Sequence, residues 1–294
     1  MISIIITSKN EPQTIDRAVR SFLNENFCGH NFEILVVSPD KKTQQAAKKA
    51  DPINVKILED KDQGKPAALN LAIKQSRGDI LIFSDGDVRI GRGAVSQLLD
   101  NFKTGIATGR PVVEEHTSRN KFIFWQKCLF DTAHKLRESR NKKCQFILLS
   151  GYLFAVKKEF LQNFKFPTNI LTEDEYLSYF FWSKGHRIFY AENAKVYVKF
   201  AANYSDWINQ KVRTLGGSYQ IPHKWKKGIA MRSFLKESAR GFFILKDYGN
   251  NFKDAYWLIL LILARLHGWL KAFFKVKILK EKRESLWIRI GSTK

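Results

Sequence analysis

The first 85 residues alternate between short apolar runs and stretches of helical periodicity, and this rhythm constrains the fold more than any other feature. Runs at 2–7, 32–37, 55–58 and 79–84 are too short for helices and are bounded by turn residues, which predicts covered strands. Between them the spacing predicts three helices. The first opens at Asn10, Glu11 and Pro12, with Asn10 as its cap and Ile15, Val19, Phe22 and Leu23 on one face. The second covers 43–50. The third opens at Gly64, Lys65 and Pro66 and turns Leu69, Ala72 and Ile73 inward. Strands linked by crossover helices lie parallel, with right-handed connections. The expected fold is therefore α/β, a mostly parallel sheet flanked by helices, with ligands gathering at the carboxyl ends of the strands.

The polar residues at those ends point to chemistry. The fourth run ends in Asp85-Gly86-Asp87. Two carboxylates around a glycine suit a hard divalent cation that also holds phosphate oxygens, although a plain Asp-Gly turn has the same composition. Lys65 at a helix start would attract a phosphate or a nucleobase carbonyl, or stand solvated. No Walker A loop and no GxGxxG follows a strand, which argues against a kinase, an ATPase and a nicotinamide dehydrogenase.

Farther along, the pattern predicts a helix at 94–102, a strand at 105–109, a long amphipathic helix at 121–140 and a strand at 146–149 ending at Ser150, Gly151 and Tyr152. Thr172-Glu173-Asp174-Glu175 opens a helix to 183. Thr is a good cap and acids favour a helix N-terminus. The chemical reading is a general base, a carboxylate raised by desolvation among Tyr176, Tyr179 and Phe180. Strands are expected at 187–190 and 195–200, and a helix at 205–219, where Gln210 and Arg213 share a face. Arg213 could neutralise a leaving diphosphate, or sit on a solvated basic face. His30, His116, His134, His186, His223 and His267 show no metal-ligand spacing; only His223 is a candidate neighbour of the site.

The net charge is +22, and residues 201–294 hold 19 Lys and Arg against 6 Asp and Glu. Pro222 and the cluster Lys224, Lys226 and Lys227 interrupt the pattern, which predicts a catalytic unit 1–222 and a basic helical extension 223–294, mostly helical from Ile229. Its richness in Trp, Phe, Leu and Ile favours an anionic membrane surface over nucleic acid, for which no binding module is visible. Residues 255–264 are apolar, and then Arg265, His267 and Lys271 intervene. Arg265, Gly268, Lys271 or Ala272, and Lys275 are expected on one face, with Trp257 and Trp269 as interface anchors. The preferred reading is a helix lying in the cytoplasmic leaflet, with a single span or burial against a partner subunit as alternatives. Cys28, Cys128 and Cys144 read as reduced thiols in a cytosolic setting, and Met1 leads straight into a strand with no secretory pattern.

Together these pieces resemble an inverting family-2 glycosyltransferase with a GT-A fold, over roughly residues 1–219. The resemblance rests on Thr7 to Glu11, the helix start Gly64-Lys65-Pro66-Ala67-Ala68-Leu69-Asn70, the DXD-like Asp85-Gly86-Asp87, the Glu173-Asp174 pair, and Gln210-Lys211-Val212-Arg213-Thr214 with Gly217 beyond it. It implies a UDP- or GDP-sugar donor and Mn²⁺ or Mg²⁺ held by Asp87 and Asp85. It further implies a nucleotide pocket of Thr7, Asn10, Glu11, Asp40, Lys65 and Asp85, with Asp174 as base beside Glu173 and Arg213 on the leaving group. Gly151, Tyr152 and Gln210 fall on the acceptor and leaving-group side. Two departures stand out. Pro39 alters the turn before Asp40, and Thr214 replaces the family's tryptophan, which points to transfer of one or a few sugars. The implied acceptor is a hydroxyl of a lipid-linked or membrane-proximal saccharide. The alternatives are a polyprenyl-phosphate monoglycosyl transferase and a non-catalytic basic protein binding anionic lipid or nucleic acid.

Overall fold

The computed structural model describes residues 1–114, 120–226, 229, 244, 246–288 and 291. His116, Lys227 and residues 230–243 lie outside the described residues.

Four parallel strands are laid down first: β1 (Ile2–Thr7), β2 (Phe32–Ser38), β3 (Val55–Glu59) and β4 (Ile80–Asp85). Helices α1 (Ile15–Leu23), α2 (Lys41–Ala50) and α3 (Lys65–Gln75) are their crossovers. All six residues of β1 are buried, as its position between β2 and β4 requires. The sheet continues as an eight-stranded order β3-β2-β1-β4-β7-β6-β8-β5. Its second half comprises β5 (Val88–Ile90), β6 (Ile106–Val113), β7 (Leu153–Lys157) and β8 (Phe189–Val198). There β4–β7, β6–β7 and β5–β8 pair antiparallel, and β6–β8 parallel.

One face of the sheet packs on α1, α2 and α4 (Ala94–Asp100); the other packs on α3 and α6 (Glu173–Ser183). A third core lies where α5 (Lys121–Lys142) and α7 (Tyr204–Gly217) meet α9 (Phe252–Phe273), beyond the short α8 (His223–Lys226). Trp125, Trp207 and Leu215 bury there against Leu258, Leu261 and Trp269, so this core draws on residues either side of position 222. A further helical turn, α10 (Arg283–Leu286), follows α9.

Several local expectations are corrected. Helix α1 starts at Ile15 and is preceded by Thr14; Asn10 instead adopts a left-handed φ of 54° and hands its N–H to Asp40. The apolar run 146–149 is buried but forms no ladder. Leu149 N–H bonds Ser178 Oγ and Ser150 N–H bonds Thr108 Oγ1, and the strand proper is β7. The two expected strands 187–190 and 195–200 are one strand, β8, whose register against β6 shifts at Thr108/Arg110. Strand β5 went unforeseen because three residues carry no readable period.

Candidate active site

The parallel strands all end on one side, and a cavity of about 940 Å³ opens there. At its floor β1 and β4 run in register, Thr7 opposite Asp85. Gly86 N–H bonds Thr7 carbonyl at 3.1 Å. A Cβ on Gly86 would collide with Ser8 Oγ and stand 2.8 Å from Glu11 Oε2, so only glycine lets the Asp-Gly-Asp turn close onto β1. Ser8 in turn donates to Glu11 Oε2 at 2.7 Å.

Lys65, on the first turn of α3, reaches Asp85 Oδ1 at 2.5 Å. Burial alone would lower its pKa, but Asp85 and Glu173 outweigh that and raise it. Asp87 moves the other way for a carboxylate. Burial first, then the neighbouring Asp85, push it up to about 6, against the pull of Lys65 and Arg213. Two recessed carboxylates side by side are hard oxygen donors, and a dication would favour the ionised form of Asp87. The residues therefore fit Mn²⁺ or Mg²⁺.

Across the cavity, Asp174 sits in the first turn of α6. Its Oδ2 accepts Gly151 N–H at 3.1 Å and its Oδ1 accepts Glu175 N–H at 2.9 Å. Thr172 occupies the cap position, but its Oγ1 makes no cap bond and lies under Gly217 of α7, where any Cβ would collide with it. The aromatic desolvation expected here falls elsewhere. Tyr179 packs on Phe146, and Tyr176 on Phe164 and Trp225, behind the helix. The acid that burial pushes up is Glu173, opposed by Lys65. Tyr152 is also pushed up, by burial and then by Asp87 and Asp85.

Thr7, Asn10, Glu11, Lys65, Asp85, Asp87, Gly151, Tyr152, Glu173, Asp174, Gln210 and Arg213 all line this one cavity. Asp40 does not. Its carboxylate is spent on capping α2 through Thr43 N–H at 2.9 Å and on Asn10 N–H at 2.6 Å. The acids that do line that rim are Asp60 and Asp62, and burial raises the carboxyl of Asp60. Their cluster with Gly64 was readable only as a loop. His223 is exposed and outside the lining. A separate group of His134, Glu138 and Glu192 could in principle hold a metal, but Glu138 already pairs with Lys142 at 2.6 Å.

The lining also includes apolar side chains: Leu129, Phe130 and Leu136 from α5, and Leu261, Ile262, Leu266 and Trp269 from α9. Helix α9 and the turn after it, Phe252–Ile278, are long and apolar enough to cross a membrane. The inner face of α9 is docked on α7: Gly268 lies against Ile208 and Leu215, and Trp269, expected as an interface anchor, is instead buried beside Tyr219. Trp257 is likewise engaged, its carbonyl accepting from Trp125 Nε1. Tyr256, Ile259, Leu263, Leu270 and Phe273 form the exposed outer face.

With these parts in place, the comparison with known families is decisive. The model of glycosyl transferase family 2 matches residues 3–164, more than half of the chain and the whole β1–β7 scaffold that carries Lys65, Asp85, Asp87 and Gly151. The chain belongs to glycosyl transferase family 2. Among curated family relatives, glycosyltransferase AglE of Haloferax volcanii is 35% identical over 91 residues, covering 29% of this chain and 30% of AglE. GalNAc(5)-diNAcBac-PP-undecaprenol beta-1,3-glucosyltransferase of Campylobacter jejuni is 27% identical over 176 residues, 56% of this chain and 54% of that enzyme. The chain thus spans about half or less of the length of these relatives. Among solved structures, the mannosyltransferase PcManGT of Pyrobaculum calidifontis, in complex with GDP-Man and Mn²⁺, superposes with a TM-score of 0.62 at 16% identity. That match covers 92% of this chain and 72% of PcManGT and establishes the shared GT-A fold.

Proposed function

We propose that this family-2 glycosyltransferase moves a sugar, with inversion, from a nucleoside diphosphate donor to a hydroxyl of a lipid-linked saccharide at a membrane surface. One observation carries the reading: Lys65, Asp85, Asp87, Asp174 and Arg213 all line a single cavity. The cavity's volume stands near the top of the usual small-molecule range, roughly 300–1,000 Å³. That leaves room for a donor and an acceptor together.

The donor's nucleotide lies along Thr7, Asn10, Glu11 and the rim acids Asp60 and Asp62. Asp87 and Asp85 are the residues that would hold Mn²⁺, the ion named with PcManGT, or Mg²⁺. Such an ion supplies charge stabilisation to a departing diphosphate. Lys65, held against Asp85, keeps a fixed positive charge at that end, and Arg213 supplies a second. Asp174, fixed by Gly151 and Glu175 N–H groups, takes the proton of the acceptor hydroxyl. Gln210, whose buried Oε1 has no hydrogen-bond partner among the described residues, faces the same space and suits a sugar hydroxyl.

The lipid-linked acceptor is supported by apolar side chains of α9 in the cavity lining, of which Ile262 and Leu266 are also exposed, and by the undecaprenol-linked substrate in the Campylobacter relative's name. We place residues 223–294 as a membrane-associating extension. With its inner face docked on α7, α9 lies in the membrane surface and does not span it, and the basic tail faces an anionic, cytoplasmic leaflet. Incubation with a panel of UDP- and GDP-sugars plus Mn²⁺ tests the reading directly. Release of nucleoside diphosphate, enhanced by polyprenol-linked saccharide, is expected; no release from any donor would refute it.

A further inference from the structure

The C-terminal segment returns to the donor end of the cavity, where Arg283, Glu284 and Trp287 line it. Arg283 is 8% exposed, and its Nε donates to Ile170 carbonyl at 2.9 Å. Its guanidinium stands over Gly64, the residue that opens α3. Gly64 has a φ of +86°, and any Cβ there would collide with Arg283 Nη1. A buried cation is thus parked at a helix N-terminus, the positive end of the helix dipole, against the residue that precedes Lys65. That placement disfavours a cation and favours an anion.

The surrounding charges are incompletely matched. Arg283 Nη2 is 3.9 Å from Glu173 Oε1, within ion-pair range but beyond a hydrogen bond. Neither atom has a hydrogen-bond partner among the described residues. A buried, unsatisfied guanidinium N–H costs free energy unless a ligand supplies the acceptor. Trp287 links Arg283 to the opposite wall: the Arg213 guanidinium carbon lies 4.6 Å from its ring centroid and that of Arg283 5.4 Å. Lys65, Arg213 and Arg283 therefore line the same polar end of the cavity, one from α3, one from α7 and one from the tail. Of the three, Lys65 alone is hydrogen-bonded to a catalytic-site carboxylate, Asp85, among the described residues.

We propose that Arg283 binds the donor's diphosphate, so that the C-terminal segment completes a three-cation cradle with Lys65 and Arg213 around the leaving group. The planar fork of an arginine suits two oxygens of a phosphate. Trp287 is a positioning residue that holds both Arg213 and Arg283 against one ring. The inference rests on the donor-site reading above and adds a residue far outside the family match at 3–164.

The test is calorimetric binding of UDP and GDP, and of the corresponding nucleosides, with Mn²⁺ present, to the full chain and to Arg283→Gln and Arg283→Lys. Losing a charged hydrogen bond to phosphate is expected to weaken the preferred diphosphate roughly ten- to a hundredfold in Arg283→Gln. The nucleoside should bind that variant as it binds the parent, and Arg283→Lys should recover part of the loss. Equal weakening of diphosphate and nucleoside, or no weakening of either, overturns the role of Arg283. Because Arg283→Lys keeps the charge and most of the packing, a folded comparison remains even if Arg283→Gln is unstable; diphosphate binding by Arg283→Lys as tight as the parent's, or reduced equally for nucleoside, would also overturn it. Failure of the unaltered protein to bind any diphosphate refutes the donor site itself, an outcome distinct from loss in the variants alone.

Discussion

Gly151 donates its backbone N–H to Asp174 Oδ2 at 3.1 Å, and a Cβ on Gly151 would stand 3.2 Å from that same oxygen. The glycine both holds the proposed base and leaves it just enough room. Gly151→Ala forces the carboxylate to yield by a few tenths of an ångström. Turnover should fall about tenfold or more, because misplacement near 1 Å costs on the order of a hundredfold. Donor KM should stay within about twofold, since the proposed nucleotide pocket is built from Thr7, Asn10 and Glu11 and not from Gly151. Steady-state kinetics with varied donor checks both.

Asp40 offers a test of where nucleobase recognition resides. Its carboxylate caps α2 and braces Asn10, so Asp40→Asn should leave donor KM unchanged, whereas Asp40→Ala should cost about 1 kcal/mol of stability. Burial pushes the Asp40 carboxyl up, but hydrogen bonds from Asn10 and Thr43 overcome this and hold it below its ordinary value. A depressed folded pKa means the contribution is full above the unfolded value, near pH 3.9, and is lost as pH falls through the folded one. Thermal melts of the parent should therefore lose that increment on acidification, and those of Asp40→Asn should not.

Asp87→Asn removes a proposed ion ligand without removing volume. In the parent, UDP or GDP together with Mn²⁺ should raise the melting temperature, and chelation should abolish the shift. In Asp87→Asn the shift should be absent at the same ligand concentrations, by the ordinary linkage between binding and stability. Scanning fluorimetry with and without chelator distinguishes the two proteins.

The outer face of α9 predicts its own pair of variants. Leu263 and Leu270 are exposed, so aspartate at either should leave the melting temperature nearly unchanged but abolish flotation with anionic vesicles. Leu258 is fully buried in the core shared with α7, and Leu258→Ala should cost about 2–5 kcal/mol.

Much of this fold is legible in the chain because local signals agree with the global arrangement. Strands β1 to β4 are apolar runs flanked by turn residues, and their order dictates parallel pairing. The candidate site is legible for the same reason: Asp85, Lys65 and Asp174 each stand at the end of an element. What could not be read depends on contacts between distant parts of the sequence. Residues 146–149 and β7 are equally apolar, and only their packing decides which joins the ladder. Asp40 looks like a site acid until Asn10 is seen beside it. Trp269 has the composition of a membrane anchor, yet α7 covers it. Thr214 stands where the family has a tryptophan, and Trp287, 74 positions along the chain from Arg213, lies against the Arg213 guanidinium.

The central claim is that one cavity divides its labour between leaving-group acids and an acceptor base. Asp174→Asn tests it most directly, measured at once for sugar transfer and for nucleoside diphosphate affinity in Mn²⁺. The account predicts transfer reduced by at least about a hundredfold, the usual scale for loss of a general base, with nucleotide affinity within about twofold of the parent. Transfer that persists, or nucleotide affinity lost in equal measure, would contradict it.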